Sequence, residues 1–187
     1  WPMILRIAQL GQPALRHAAV EVAAGDIAAP EFQRFIRDML ATLDAAGGVG
    51  LAAPQVFSDK RIFLAAVLPP NDPDAMPGIE IFINPVLTHA SSEKATGWEG
   101  CLSFPELLVN VPRHRVVRMS YLDHQGQSSV IDLQGFPARV VQHELDHLNG
   151  ILTLDRAPST RDIIKASEID VVLKKTAPPV GPHPAES

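Results

Sequence analysis

The 187-residue chain predicts an α+β domain. Three observations carry that class. Two stretches repeat their apolar residues at helical spacing, four short apolar runs are bounded by Pro, Gly, Asn or Asp, and the length suits one ordinary domain that buries its own core.

The first helix is read from "PEFQRFIRDMLATLDAAGG". Phe32, Phe35, Ile36, Met39, Leu40 and Leu43 fall on one stripe, and Gly47 and Gly48 are placed to end it. Strand-like runs follow: "RIFLAAVL" from Arg61, "IEIFINPVL" from Ile79, "RVVRMSYLD" from Arg115 and "SSVIDLQG" from Ser128, with "HQGQ" suggesting a hairpin between the last two. The Pro- and Asp-rich "PPNDPDAMPG", residues 69–78, reads as a surface loop. The second helix should begin at Pro137, where a missing amide hydrogen costs nothing, and stop at Asn149 and Gly150. "STRDIIKASEIDVVLKK" is expected to hold one further short element, and "TAPPVGPHPAES" reads as a disordered tail.

Composition narrows the functional classes. With 46% hydrophobic residues, 20% charged and a net charge of −5, the chain reads as a soluble globular protein with no electrostatic case for wrapping nucleic acid. It lacks the run of about 18 apolar residues that would span a bilayer, so no membrane partner is expected. Cys101 is the single cysteine, which forbids an intramolecular disulfide and suggests a reducing, cytoplasmic setting. A first residue of Trp1 is compatible with prior removal of a targeting segment.

Three short stretches carry chemistry. In "QHELDHLNG" His143 and His147 are four apart, so a helix projects both from one face, where they could share an ion; Glu144 lies about 100° around from His143, near enough to handle protons without being a ligand. The plain alternative is a helix with solvated histidines. A catalytic zinc-type site usually takes three protein ligands. The extended metzincin spacing would put the third at residue 153, which is Thr153, so that route fails. A thermolysin-like glutamate could be Glu168, although "KASEID" lacks the asparagine such peptidases tend to place beside it. The remaining candidate is Cys101 in "EGCLS", where Gly100 would let the backbone bend; alone, such a cysteine is more often a small buried side chain. In "GGVGLAAPQ", Gly48 and Gly50 would allow close backbone approach, and the Gln55 amide could donate to a developing negative oxygen. No lysine follows in the P-loop manner, so phosphate binding is a poor reading of that turn.

Together, "GVGLAAPQ", "EGCLS" and "QHELDH", in this order and at these separations, closely resemble the three signature motifs of peptide deformylases. The likeness extends over residues 5 to about 155 and includes "VPRHRVVRMSYLD"; it fades beyond 160, so residues 1–160 are expected to form the catalytic domain and 161–187 a C-terminal segment, partly disordered. The resemblance implies short, mostly antiparallel strands around a central helix carrying HExxH. It also implies one divalent ion on Cys101, His143 and His147 with a water in the fourth position, Fe²⁺ in the cell and Zn²⁺, Ni²⁺ or Co²⁺ as substitutes. The implied reaction removes the formyl group from the N-terminal formylmethionine of nascent peptides at the ribosome and releases formate. Glu144 would take the proton of the attacking water and pass it to the departing nitrogen, while the Gln55 amide and the Leu102 N–H would stabilise the oxyanion. Gly50 and Leu51 match positions beside the substrate backbone, and Val49, Val140 and His143 positions around the methionine side chain. Glu99, also on the substrate side, and Arg113 match a pair that would support the cysteine loop, the other reading being a surface charge pair worth under about 1 kcal/mol. Asp146 would orient His147 or cap local polar groups.

Two departures stand out. Leu108 occupies a position where many bacterial members carry a peptide-contacting arginine, and the proline-rich tail replaces a basic helix that could dock on the ribosome. "TGWEGCLS" and "GFPARVVQHELDHLNG" look closer to the branch that includes organellar deformylases, some of which pair through C-terminal segments, so a homodimer is a further expectation.

Overall fold

Apolar spacing in the sequence becomes buried surface in the computed structural model, which describes residues 1–68 and 78–176. A single turn, α1 (Ala24–Ile27), leads into α2 (Pro30–Ala46), whose stripe of Phe32, Ile36, Met39 and Leu43 is buried. Pro30 starts the helix where its missing donor is harmless. Gly47, at φ 61°, ends it with its N–H turned back to the Asp44 carbonyl, a left-handed conformation that glycine adopts without a Cβ penalty.

A five-stranded antiparallel sheet follows in the order β1 (Gly50–Ala52), β2 (Ile62–Leu68), β3 (Gly78–Ala90), β6 (Val116–Leu122), β7 (Ser128–Gln134). Strand β2 is apolar throughout because both of its faces are covered. Ile62 and Leu64 join the core built on α2, whereas Phe63, Ala65 and Val67 join the core on the opposite face. Phe63 stacks on Phe82 of β3 at 4.7 Å between ring centroids; fully burying rings of this kind contributes about 1.5–3 kcal/mol each. The HQGQ hairpin is present, closed by the Asp123 N–H on the Gln127 carbonyl with Gly126 at φ 80°.

A second antiparallel sheet orders β4 (Lys94–Glu99), β5 (Leu107–His114) and β8 (Ile163–Lys165). Between the two sheets runs α3 (Phe136–Leu148), which begins one residue earlier than predicted, behind Gly135 at φ 64°. It packs on β1 and β2 and reaches β5 and β7, burying Ala138, Val140, Val141 and Leu148. The expected α+β arrangement of antiparallel strands around a central HExxH helix is therefore present, although β3 is longer than a short strand, at 13 residues. Two short helices complete the described chain, α4 (Thr153–Arg156) and α5 (Ile169–Thr176). Ile163, Ile164 and Lys165 pair with Val109, Leu108 and Leu107, so β8 is the outer strand of the smaller sheet. The expected loop at 69–78, except for Gly78, and the tail from 177 onward lie outside the described residues. Among the described residues no helix is long and apolar enough to cross a membrane.

Candidate metal centre and cleft

One helical turn separates His143 from His147, and α3 points both rings into the protein at 5.0 Å between centroids. Strand β4 ends at Glu99, and two residues later the chain turns so that Cys101 faces the helix. Cys101 Sγ stands 3.3 Å from His147 Nε2, and donor atoms of Cys101, His143 and His147 all lie within 4.8 Å of one another, each residue buried. In a tetrahedral centre with bonds of about 2.3 Å to sulfur and about 2.0–2.1 Å to nitrogen, the two donors stand about 3.5 Å apart. The trio fits one ion. Glu168 is not brought to it: that side chain is exposed and its carboxylate accepts from the Ser167 hydroxyl.

Burial and neighbouring charge set the two imidazoles apart. Burial opposes charge on His143, yet Cys101 and Glu99 outweigh it and raise the imidazole to about 10. His147 is held well below the usual histidine range by burial and by the neighbouring His143. His143 Nδ1 lies 3.0 Å from Glu99 Oε2, which fixes the ring with its other nitrogen available, the carboxylate–histidine pairing that orients metal ligands.

Glu99 is the hub of a buried charge network. Arg113 donates through Nε and Nη2 to its two oxygens at 3.0 Å each, and Arg139 adds Nη1 at 2.7 Å. On the far side, Arg113 Nη1 donates to Asp146 Oδ2 at 2.5 Å, and Arg156 holds both Asp146 oxygens. Burial would raise Glu99, but hydrogen bonds from His143 and Arg113 hold it down at about 2. The Glu99–Arg113 pair is thus no surface pair, with both residues at 6% exposure or less. Asp146 spends its carboxylate on the two arginines rather than on His147, whose Nδ1 has no hydrogen-bond partner among the described residues. Gly100 needs no special backbone freedom either, since a Cβ there would meet only Leu108 at an ordinary 3.4 Å.

A cleft of about 340 Å³ opens above the trio. Its wall includes the expected Val49, Gly50, Gln55, Glu99, Leu102, Val140 and Glu144, together with Trp98, Phe136 and Arg139, which the sequence reading did not single out. Leu51 is fully buried in the α2 core, not in the wall. Gln55 accepts from the Ala52 N–H through Oε1, which turns its NH₂ toward Ser103 Oγ at 3.2 Å and Cys101 Sγ at 3.6 Å. The Leu102 N–H has no acceptor among the described residues. Glu144 is buried beneath the cleft, where burial lifts its carboxyl to about 7 despite the pull of His143, and its Oε2 has no hydrogen-bond partner among the described residues.

Gly50 makes room for that carboxylate. A Cβ at this position would stand 2.8 Å from Glu144 Cδ and 2.9 Å from Cγ, closer than real atoms pack. Gly50→Ala should therefore displace Glu144 and lower kcat about 10²-fold, the cost of roughly 1 Å of misplacement, with metal content unchanged. Steady-state kinetics alongside elemental analysis will check this, and kcat within threefold of the unsubstituted protein would refute it.

Arg139 was missed although it stands at i−4 from His143, the spacing that placed His147; Arg156 gave no signal, because its pairing with Asp146 depends on the path of the chain after α3.

Comparison with known proteins agrees with this geometry. The family model described as polypeptide deformylase matches residues 4–162. Peptide deformylase 2 of Nostoc sp. is 39% identical over 178 residues, covering 93% of this chain and 97% of that protein. A crystal structure of class I type b peptide deformylase from Acinetobacter baumannii, bound to Met-Ala-Ser, superposes with a TM-score of 0.77 at 39% identity, covering 83% of this chain and 99% of that one. The structure of peptide deformylase from Thermotoga maritima gives 0.75 at 36%, with 83% and 99% covered. The chain belongs to the polypeptide deformylase family, amide hydrolases that remove the N-formyl group from nascent polypeptides.

Proposed function

We propose that this chain deformylates the N-terminal formylmethionine of newly made peptides with one divalent ion held by Cys101, His143 and His147. The observation that supports this reading is the convergence of one sulfur and two imidazoles, within 4.8 Å, at a cleft that also presents Glu144 and Gln55. A soft thiolate with two imidazoles suits iron, zinc, nickel or cobalt rather than magnesium or calcium, and Fe²⁺ is the ion we assign in the cell. When bound, such an ion supplies Lewis-acid polarisation and makes water acidic.

The remaining work falls to side chains and backbone. Glu144, unpartnered at Oε2, takes the proton of the attacking water and returns it to the departing amine nitrogen. The Gln55 amide, held by Ala52, and the Leu102 N–H stabilise the oxyanion; donors in this role contribute about 2.7–4 kcal/mol each in other enzymes. Val49 and Val140 border the methionine side chain, with the His143 ring as part of the wall, and Gly50 lies beside the peptide backbone. The Acinetobacter baumannii relative binds Met-Ala-Ser, a peptide that begins with methionine, as the product of this reaction would. The reading requires a reduced Cys101 and so a reducing, cytoplasmic setting, with nascent chains as the substrate pool.

Formate release from formyl-Met-Ala by anaerobically prepared protein, loaded with Fe²⁺ or Ni²⁺, is the direct test. Cys101→Ser should weaken metal binding at least about tenfold, whereas Glu168→Gln should leave it intact. Absence of turnover in fully loaded protein would overturn the assignment in favour of a binding module with a structural ion.

A further inference from the structure

Arg139 stands one turn before His143 on α3, and its guanidinium spans the gap between that helix and the smaller sheet. Nη1 donates to Glu99 Oε1 at 2.7 Å, to the Val111 carbonyl at 3.0 Å and, at longer range, to the Gly97 carbonyl at 3.4 Å; Nη2 donates to the Ala95 carbonyl at 2.6 Å. Three of these acceptors belong to β4, the strand that delivers Cys101, and the fourth to its neighbour β5. Gly97 is shaped to this contact, since a Cβ there would lie 3.0 Å from Nη2 and 3.1 Å from Cζ of Arg139. The oxygen of Glu99 that Arg139 holds is shared with Arg113 Nε, while the other oxygen faces His143 Nδ1.

The sulfur and the two imidazoles arrive on different elements, and nothing in the covalent chain fixes their spacing, because three strands, β5, β6 and β7, lie between Cys101 and α3. We propose that Arg139 is a positioning residue that locks β4 onto α3, and so sets where Cys101 Sγ stands relative to His143 and His147. The inference rests on the reading of those three as ligands of one ion. It demands a planar, multidentate donor: lysine places a single ammonium where several acceptors diverge, and methionine fills similar volume with no donor at all. The expected signature is therefore that lysine does no better than methionine.

The test uses the full chain carrying Arg139→Lys, Arg139→Met or Arg139→Ala. Metal-free protein is titrated with Co²⁺, the thiolate-to-cobalt charge-transfer absorption is followed, and affinity is measured by competition with a chelator. In parallel, kcat and KM are determined for formyl-Met-Ala. All three substitutions should weaken Co²⁺ binding roughly tenfold or more and alter the charge-transfer band, with kcat falling and KM changing by less than about threefold. Unchanged Co²⁺ affinity with a raised KM would make Arg139 a residue that binds substrate without placing Cys101 and overturn the proposal; so would full affinity in the lysine variant.

Should Arg139→Ala fail to fold, Gly97→Ala, which crowds the guanidinium, supplies the same test. It should weaken Co²⁺ binding when Arg139 is present and have little effect alongside Arg139→Met; equal effects in the two backgrounds would refute the coupling. A missing charge-transfer band in the unsubstituted protein would instead remove the ligand reading itself, an outcome distinct from a normal band that ignores Arg139.

Discussion

Glu144→Gln is expected to keep the ion bound and to lower kcat for formyl-Met-Ala by about 10²- to 10⁴-fold, the contribution of a positioned general acid–base group. Glutamine preserves the shape that Gly50 accommodates but cannot carry a proton from water to the leaving nitrogen. The position isolates that function. Glu144 is 4% exposed, and its Oε2 has no hydrogen-bond partner among the described residues, so the substitution breaks no hydrogen bond at that oxygen. Cys101, His143 and His147 remain in place, and metal content by elemental analysis should be unchanged. A kcat within tenfold of the unsubstituted enzyme would move the proton-transfer role to another group.

The elements legible in the sequence are those whose apolar residues keep a helical stripe, an unbroken run or an alternation. Helix α2 and strand β2 declare themselves because each buries a continuous stripe or run, and α3 does so because its histidines and its apolar residues share one period. Strands β4 and β5 were not read, for a physical reason: β4 carries Gly97 to admit the Arg139 guanidinium, and β5 carries Asn110 and Pro112, residues that weaken a strand signal. These same strands hold the charge network. In β5 the buried positions alternate through Val109, Val111 and Arg113, so a cation occupies a core-facing site that local composition would assign to the surface. Its partners lie 14 and 33 residues away, and Arg139 reaches Glu99 across 40; pairings at such separations have no local period to betray them. The candidate ligand trio was legible in a different way. Spacing alone proposed His143 and His147, while Cys101 came from the company of the other two motifs, and only the folded chain separates it from Glu168.

Arg113→Met should strongly destabilise the fold while leaving all three candidate ligands in place. Arg113 is 5% exposed and is shared by Glu99 and Asp146, themselves 6% exposed each. Removing it takes away the cation that two buried carboxylates share, leaving Glu99 to Arg139 and His143 and Asp146 to Arg156. Breaking a buried ion pair from one side costs about 3–5 kcal/mol, or roughly 6–20 °C in Tm for a chain of this size. The pH dependence follows from Glu99. Its folded value of about 2 lies below the ordinary 4.5, so its contribution to stability is complete above about 4.5 and is lost as pH falls through about 2. The gap between Arg113→Met and the unsubstituted protein should therefore be widest near neutrality and should narrow below about 4.5, where Glu99 takes up a proton in the unfolded chain but stays ionised in the unsubstituted fold. Thermal melts of metal-free protein between pH 3 and pH 7, a window chosen to span about one unit above the folded value and well beyond the ordinary one, will measure that gap. A Tm loss under about 3 °C at pH 7 would mean that Glu99 and Asp146 are satisfied by Arg139 and Arg156 alone, and that Arg113 is not the residue that binds β5 to α3.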